Sequence, residues 1–200
     1  MRLSFEFLTA ALPYAELLVK HAHGIEHVRD ATATWLEQDN EVSVAFDSRE
    51  IKSNELFIAL KGNVVDGHTF VQDALRVGAV AALISDKKVL ETVPLDIWRK
   101  QLVIVVPDTL QAFIDLATAW RDQLTIPIIA ITGSVGKTTT KEMMRSILGA
   151  AGMKATVSLK NQNTTIGLCY TILNITSTDQ AAVCEVGISL RGEMASRIAI

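Results

Sequence analysis

Apolar residues along this chain fall into short runs, separated by stretches where they recur every three or four positions. Residues 42–46 alternate polar with apolar and predict a strand, and the runs at 56–60, 79–84 and 103–106 predict three more. Thr69 and Gln72 have capping-box spacing and predict a helix through Arg76, closed by Gly78. Asp108 with Gln111 predicts the start of another, with Leu110, Phe113, Ile114, Ala117, Trp120 and Leu124 along one face. Residues 3–23 read as helical, with Pro13 forcing a break or a fresh start. Strands alternating with helices predict an α/β fold with a mostly parallel sheet covered by helices.

The pattern restarts after residues 123–127, which predicts two domains, 1–125 and 126–200. Residues 128–131 form an apolar, β-branched run that reads as a buried strand. A glycine-rich turn follows. Met143, Met144, Ile147 and Leu148 then recur at helical spacing, with Lys141, Glu142, Arg145 and Ser146 assigned to the opposite side. Strand character returns at Thr156 and Val157 and again at 181–186, with a helix from about Ile166 between them and another near Gly192. Two clear strands are too few for a finished domain of this type, so the second unit reads as incomplete and the sequence as cut short, with an unfinished sheet edge near Val183.

The turn between strand and helix carries the most specific chemistry. Gly133, Ser134, Val135, Gly136, Lys137, Thr138 and Thr139 have the form of a phosphate-binding loop in its proper context. Glycines let backbone N–H groups surround phosphate oxygens, and the helix N-terminus adds its positive end. Lys137 reaches the β- and γ-phosphates in such a loop, and the Thr138 hydroxyl ligates Mg²⁺. The general pattern has glycine where this chain has Ile131, so the loop is a variant. Nucleotide binding is the expectation.

Other clusters leave alternatives open. Glu185 ends an apolar run, where a carboxylate is costly unless it is paired or bound to a cation. It reads as a Mg²⁺ ligand at the crevice shared with the loop, or as a partner of the next turn or of Arg191. Asp47-Ser48-Arg49 and Asp66-Gly67-His68 follow strands and are either ligand contacts or ordinary turns. Residues 160–165 form a polar loop that either meets a neutral ligand edge or caps its helix. His21, His23 and His27 lack metal-ligand spacing and read as a solvated segment.

Composition narrows the class. A net charge of −3 gives no reason to expect a nucleic-acid partner. No stretch reaches the roughly 20 continuous apolar residues of a membrane span, and the N-terminus does not read as a signal peptide. The two cysteines, Cys169 and Cys184, sit in apolar surroundings and read as reduced, buried thiols of a cytoplasmic protein.

Together these motifs resemble the Mur ligases, ATP-dependent enzymes of peptidoglycan precursor synthesis. Asp47-Ser48-Arg49, the segment from Leu56 through Lys61-Gly62, Asp66-Gly67-His68 and Gly78-Ala79 are similar to the family's N-terminal domain. Thr132-Gly133-Ser134-Val135-Gly136-Lys137-Thr138-Thr139 is similar to its phosphate loop, and Glu185-Val186-Gly187 with Gly192-Glu193 to its next block. Lys141-Glu142-Met143 and the segment from Asn161 to Leu168 are similar to the members that add D-alanyl-D-alanine, although Thr164-Thr165 stand where that branch is usually asparagine-rich. The resemblance implies an N-terminal Mur-type α/β domain for a UDP-muramoyl peptide, followed by part of an ATP domain. It implies ATP and Mg²⁺ as cofactors, a tripeptide carboxylate activated as an acyl phosphate, and attack by the amine of D-Ala-D-Ala. Lys137 would stabilise the transferring phosphoryl group, and Thr138 with Glu185 would hold the metal. Ser48, Arg49, Asn63, Asp66, Gly67 and His68 would meet the UDP-sugar, and Asn163, Thr164 and Thr165 the muramoyl or phosphate region. The full-length enzyme would be a monomer, and this chain alone would bind ligand without being a complete catalyst. The alternatives are another ligase of the superfamily, adding a third residue or glutamate to a folate, and a non-catalytic UDP-sugar or nucleotide module.

Overall fold

A computed structural model describes residues 5–21, 24–28, 42–62, 64–94, 97–98, 101–159, 163–188 and 192–200. The chain divides into two compact units, residues 2–113 and 114–200. In the first, α1 (Phe5–Ala11) leads to β1 (Glu16–His21) and β2 (Gly24–His27), then β3 (Ser43–Ala45) and β4 (Glu55–Ile58). A 3₁₀ turn (Gly67–Phe70) runs into α2 (Val71–Val77), and β5 (Ala81–Ile84), α3 (Val89–Thr92) and β6 (Leu102–Val105) follow.

These strands form a six-stranded sheet in the order β2-β1-β6-β5-β4-β3. The stretch β3 to β6 is parallel, and β1 joins β6 antiparallel. Every residue of β5 and β6 is buried, which explains why both read as unbroken apolar runs. Leu83, Ile84, Val103 and Ile104 are fully enclosed, and each contributes about 2 kcal/mol of apolar burial. Phe57, Val71, Leu75, Trp98 and Val103 share one core cluster.

The N-terminal expectation is corrected here. Helix α1 stops at Ala11, and the turn at Pro13-Tyr14 is followed by β1 rather than by more helix. Leu17, Leu18 and Val19 are all buried, and pairing with both β2 and β6 satisfies their backbone. A tertiary partner overrode local propensity. His21 lies in β1 and His27 in β2, while His23 lies outside the described residues.

Helix α4 (Thr109–Gln123) begins in the first unit and ends in the second. Asp108 caps it as expected, accepting from Leu110 N at 2.8 Å and Gln111 N at 3.0 Å. Its buried stripe is Thr109, Ala112, Phe113, Leu116, Ala117 and Trp120, and Leu110 is exposed instead.

The second unit holds β7 (Ile128–Ile131), α5 (Lys137–Ala150), β8 (Ala155–Val157), α6 (Thr165–Leu173), β9 (Ala181–Glu185) and α7 (Glu193–Ile198). Its three strands are parallel in the order β7-β9-β8. Strand β9 is central and wholly buried, so the expected edge at Val183 is wrong. Among the described strands, the edges are β7 and β8. Strand β7 is correspondingly less buried than its composition suggests, with Ala130 exposed.

Candidate functional site

Strand β7 delivers the chain into the glycine-rich turn. Gly136 has φ of 82°, a left-handed conformation that an L side chain adopts only with strain. From there α5 starts, with Thr140 N donating to Gly136 O at 2.9 Å. No side chain caps this helix, so its first N–H groups face the loop, as anion binding requires. Ser134, Val135, Thr138 and Thr139 are exposed, and Lys137 is half-buried. The Lys137 ammonium folds back over the loop and donates to Gly133 O at 2.7 Å.

Parallel pairing sets Glu185 opposite Ile131, the last residue of β7, so the Glu185 carboxylate meets the start of α5. It is 4% exposed, and the Thr138 hydroxyl lies 3.1 Å from both of its oxygens. Behind it runs a directed chain of hydroxyls. Glu185 N donates to Ser158 Oγ at 3.1 Å, and Ser158 Oγ lies 3.1 Å from Thr171 Oγ1. Thr171 Oγ1 in turn donates to Gly167 O at 2.8 Å, so Ser158 must be the donor to Thr171. This chain ties the end of β9 to α6 and fixes where Glu185 begins.

Lys141 joins the same pocket, contrary to its expected place on the solvent face. Its side chain is fully buried, with Nζ 3.5 Å from Glu185 Oε2 and 3.3 Å from Glu142 Oε1. No hydrogen bond reaches that nitrogen. Met143 and Ile147, expected to be buried, are each 60% exposed. Positions 138 and 141 are three apart on α5, so Thr138 and Lys141 present the same face to Glu185.

A second polar cluster occupies the first unit. The turns after β3, β4 and β5 all leave the C-terminal edge of the parallel sheet, the usual ligand edge of such folds. His68 is buried, its Nδ1 2.6 Å from Asp66 Oδ1. The Ser85 backbone N–H donates to His68 Nε2 at 2.8 Å, with Ser85 Oγ 3.1 Å away. A backbone amide can only donate, so Nε2 is the acceptor and the ring proton sits on Nδ1, facing Asp66. Burial alone would raise the Asp66 carboxyl, but hydrogen bonds from the His68 amide and ring, with Lys61 nearby, hold it below the ordinary value. Asp66 also caps the 3₁₀ turn by accepting from His68 N, a role the sequence pattern had assigned to Thr69. Thr69 instead donates to Asp66 O at 2.7 Å. Gly67 passes so close to the preceding loop that a Cβ there would lie 2.7 Å from Leu60 O.

Arg49 is exposed and wraps its neighbour Asp47, with Nε 2.9 Å from Oδ1 and Nη2 2.6 Å from Oδ2. The guanidinium, then the Arg49 backbone N–H, lower the Asp47 carboxyl to about 2. Ser48 is half-buried in the same turn.

Two family models match the chain: the Mur ligase family, catalytic domain, over residues 42–121, and the Mur ligase middle domain over residues 131–199. The chain belongs to the Mur ligase family. A curated relative from Synechocystis sp., a UDP-N-acetylmuramoyl-tripeptide–D-alanyl-D-alanine ligase, is 37% identical over 168 residues, 82% of this chain and 35% of that protein. The structure of a D-alanyl-D-alanyl ligase from Acinetobacter baumannii superposes with a TM-score of 0.71 at 28% identity, covering 98% of this chain and 39% of that one. A MurF ligase of Thermotoga maritima in complex with ADP gives a TM-score of 0.61 at 30% identity, over 78% of this chain and 34% of that one. The chain thus spans about a third of the length of the relatives it matches.

Within this Mur ligase chain, Lys137, Thr138 and Glu185 lie at one strand edge, and Asp66, Gly67 and His68 are knotted to Ser85 at another. Asn163, Thr164 and Thr165 stand at the start of α6, and the backbone of Asn163 ties this loop to its neighbours. Asn163 O accepts from Gly187 N at 2.8 Å and from Arg197 Nη1 at 3.4 Å. Thr164 caps α6, its hydroxyl accepting from Gly167 N at 3.2 Å, and Thr165 is the first residue of that helix. Asn63 and residues 160–162, as well as Arg191, lie outside the described residues. Sequence reasoning missed four participants. Lys141 was placed on the wrong face, Ser85 carried no motif, and Ser158 with Thr171 looked like ordinary strand and helix residues. The helical spacing of Thr138 and Lys141, three residues apart, was the signal that could have placed the first.

Proposed function

We propose that this chain serves an ATP-dependent ligase that joins D-Ala-D-Ala to a UDP-N-acetylmuramoyl tripeptide, a step of peptidoglycan precursor synthesis. The observation that carries the reading is the Thr138 hydroxyl set against the buried Glu185 carboxylate at the end of a phosphate loop. The names of the relatives supply the substrates. In the division of labour, residues 1–125 take the UDP-sugar and residues 126–200 open the nucleotide site.

Two oxygen donors, one hydroxyl and one carboxylate, suit Mg²⁺, which keeps waters and phosphate oxygens for its remaining positions. Thr138 and Glu185 would hold it, and bound there it would neutralise phosphate charge. Lys137 would leave Gly133 O for the phosphates and, with the loop amides, stabilise charge on the transferring phosphoryl group. The tripeptide carboxylate accepts that group as an acyl phosphate, and the D-Ala-D-Ala amine then displaces phosphate. Ser48, Arg49 and the His68 turn would meet the UDP-sugar at the C-terminal edge of the first sheet.

Calorimetric titration tests both halves. UDP-muramoyl tripeptide is expected to bind more tightly than UDP-muramoyl dipeptide or UDP, with binding weakened by Ser48→Ala. ADP binding with Mg²⁺ is expected to be lost in Lys137→Ala. A preference for the dipeptide would favour a ligase that adds the third residue, and ADP binding unchanged by Lys137→Ala would overturn the nucleotide site.

A further inference from the structure

The nucleotide reading leaves Lys141 without a task. A lysine that no water reaches loses the hydration of its ammonium, a cost of several kcal/mol that close hydrogen bonds normally offset. Here none is made: the nearest carboxylate oxygens, Glu142 Oε1 and Glu185 Oε2, stand at 3.3 and 3.5 Å without forming a hydrogen bond to Nζ. The buried carboxylate is also incompletely served. Thr138 has a single hydroxyl hydrogen to share between the two Glu185 oxygens it approaches. Lys137, the other cation of the loop, is turned away onto Gly133 O. Lys141 is therefore the positive charge beside Glu185, held near it by burial rather than by directed bonds.

We infer that Lys141 is a resident cation: it balances Glu185 in the nucleotide-free site and opposes loading of a free divalent metal there. The inference rests on the nucleotide reading above. A divalent ion approaching Glu185 alone meets a fixed positive charge a few ångströms away in a poorly screened pocket, which disfavours binding. A nucleoside triphosphate brings enough negative charge to outweigh that repulsion. Metal therefore enters with the nucleotide, and the ammonium, free of hydrogen bonds, can withdraw from Oε2 without breaking one.

The test is binding of Mn²⁺ alone, followed by its paramagnetic signal, to the full chain without nucleotide. Wild type is expected to bind it weakly, Lys141→Met and Lys141→Gln at least about tenfold more tightly, and Lys141→Arg as weakly as wild type. Adding Glu185→Gln to either neutral variant is expected to remove the gain. Equal or weaker Mn²⁺ binding by the neutral variants overturns the inference, and so does micromolar binding of free Mn²⁺ by wild type, a result that needs no variant to fold. A parallel titration with Mn²⁺ and ADP separates the two readings. If wild type ignores the complex, the nucleotide reading fails on its own evidence; if wild type binds it and the neutral variants gain nothing without nucleotide, only the role of Lys141 fails.

Discussion

His68 and Lys141 are both buried, both basic and both set beside a carboxylate, one in each unit, yet their surroundings are completed differently. Each ring nitrogen of His68 has a partner: Asp66 on one side, the Ser85 amide on the other. The nitrogen of Lys141 has charge neighbours and no hydrogen bond. A satisfied neutral ring locks two loops of the first sheet together. An unsatisfied ammonium keeps its pocket ready for a change of occupant. Burial of a polar group is thus compatible with opposite roles, and the state of its hydrogen bonds tells them apart.

The sharpest way to break this comparison is to remove charge from the second pocket. Glu185→Leu leaves Lys141 buried beside only the half-exposed Glu142, and is expected to cost about 3–5 kcal/mol in denaturant unfolding. Removing both charges with Lys141→Met and Glu185→Leu is expected to restore stability to within about 1 kcal/mol of wild type, because the pair gains little over apolar packing. Additive losses would show that the pocket is held by something other than charge balance.

The first cluster is expected to behave in the opposite sense. His68→Phe keeps the bulk but leaves the Ser85 amide and the Asp66 carboxylate without their ring partners, for a loss of about 2 kcal/mol. No second substitution at Asp66 should repair it, since the amide remains orphaned. A double variant as stable as wild type would erase the contrast.

The smallest effect lies at Asp47. Its carboxyl is lowered to about 2 from an ordinary 3.8, chiefly by the Arg49 guanidinium. The stabilisation is present above the unfolded value and is lost as pH falls through about 2. Carboxyl NMR titration of Arg49→Ala is expected to move the Asp47 midpoint up toward 3.8, with the carboxyl fully ionised at neutral pH in both proteins. An unmoved midpoint would mean that the backbone N–H of residue 49 suffices.

The contrast also marks what could be read from the sequence. Strands β5, β6 and β9 were legible because their apolar runs are buried on both faces, and the glycine-rich loop because glycine and lysine spacing encodes its backbone geometry. Lys141 was not. Helical periodicity ranks faces by polarity, and here the polar residue faces inward while Met143 and Ile147 face out. Strand β1 was hidden because its partner β6 lies far along the chain. The Asp66 cap was hidden because a 3₁₀ turn shifts the helix start by several residues from where Thr69 and Gln72 put it.

The cysteines have a practical consequence. Burial pushes the thiols of both Cys169 and Cys184 up to about 12, so at neutral pH the reactive thiolate is scarcer by about five orders of magnitude than the thiol. The chain therefore offers alkylating probes an almost silent background. Val135, 89% exposed at the tip of the phosphate loop, is the natural place to introduce one thiol by Val135→Cys. On the proposed nucleotide reading, a dye attached there would report nucleotide arrival, against the low thiolate background of the two native cysteines.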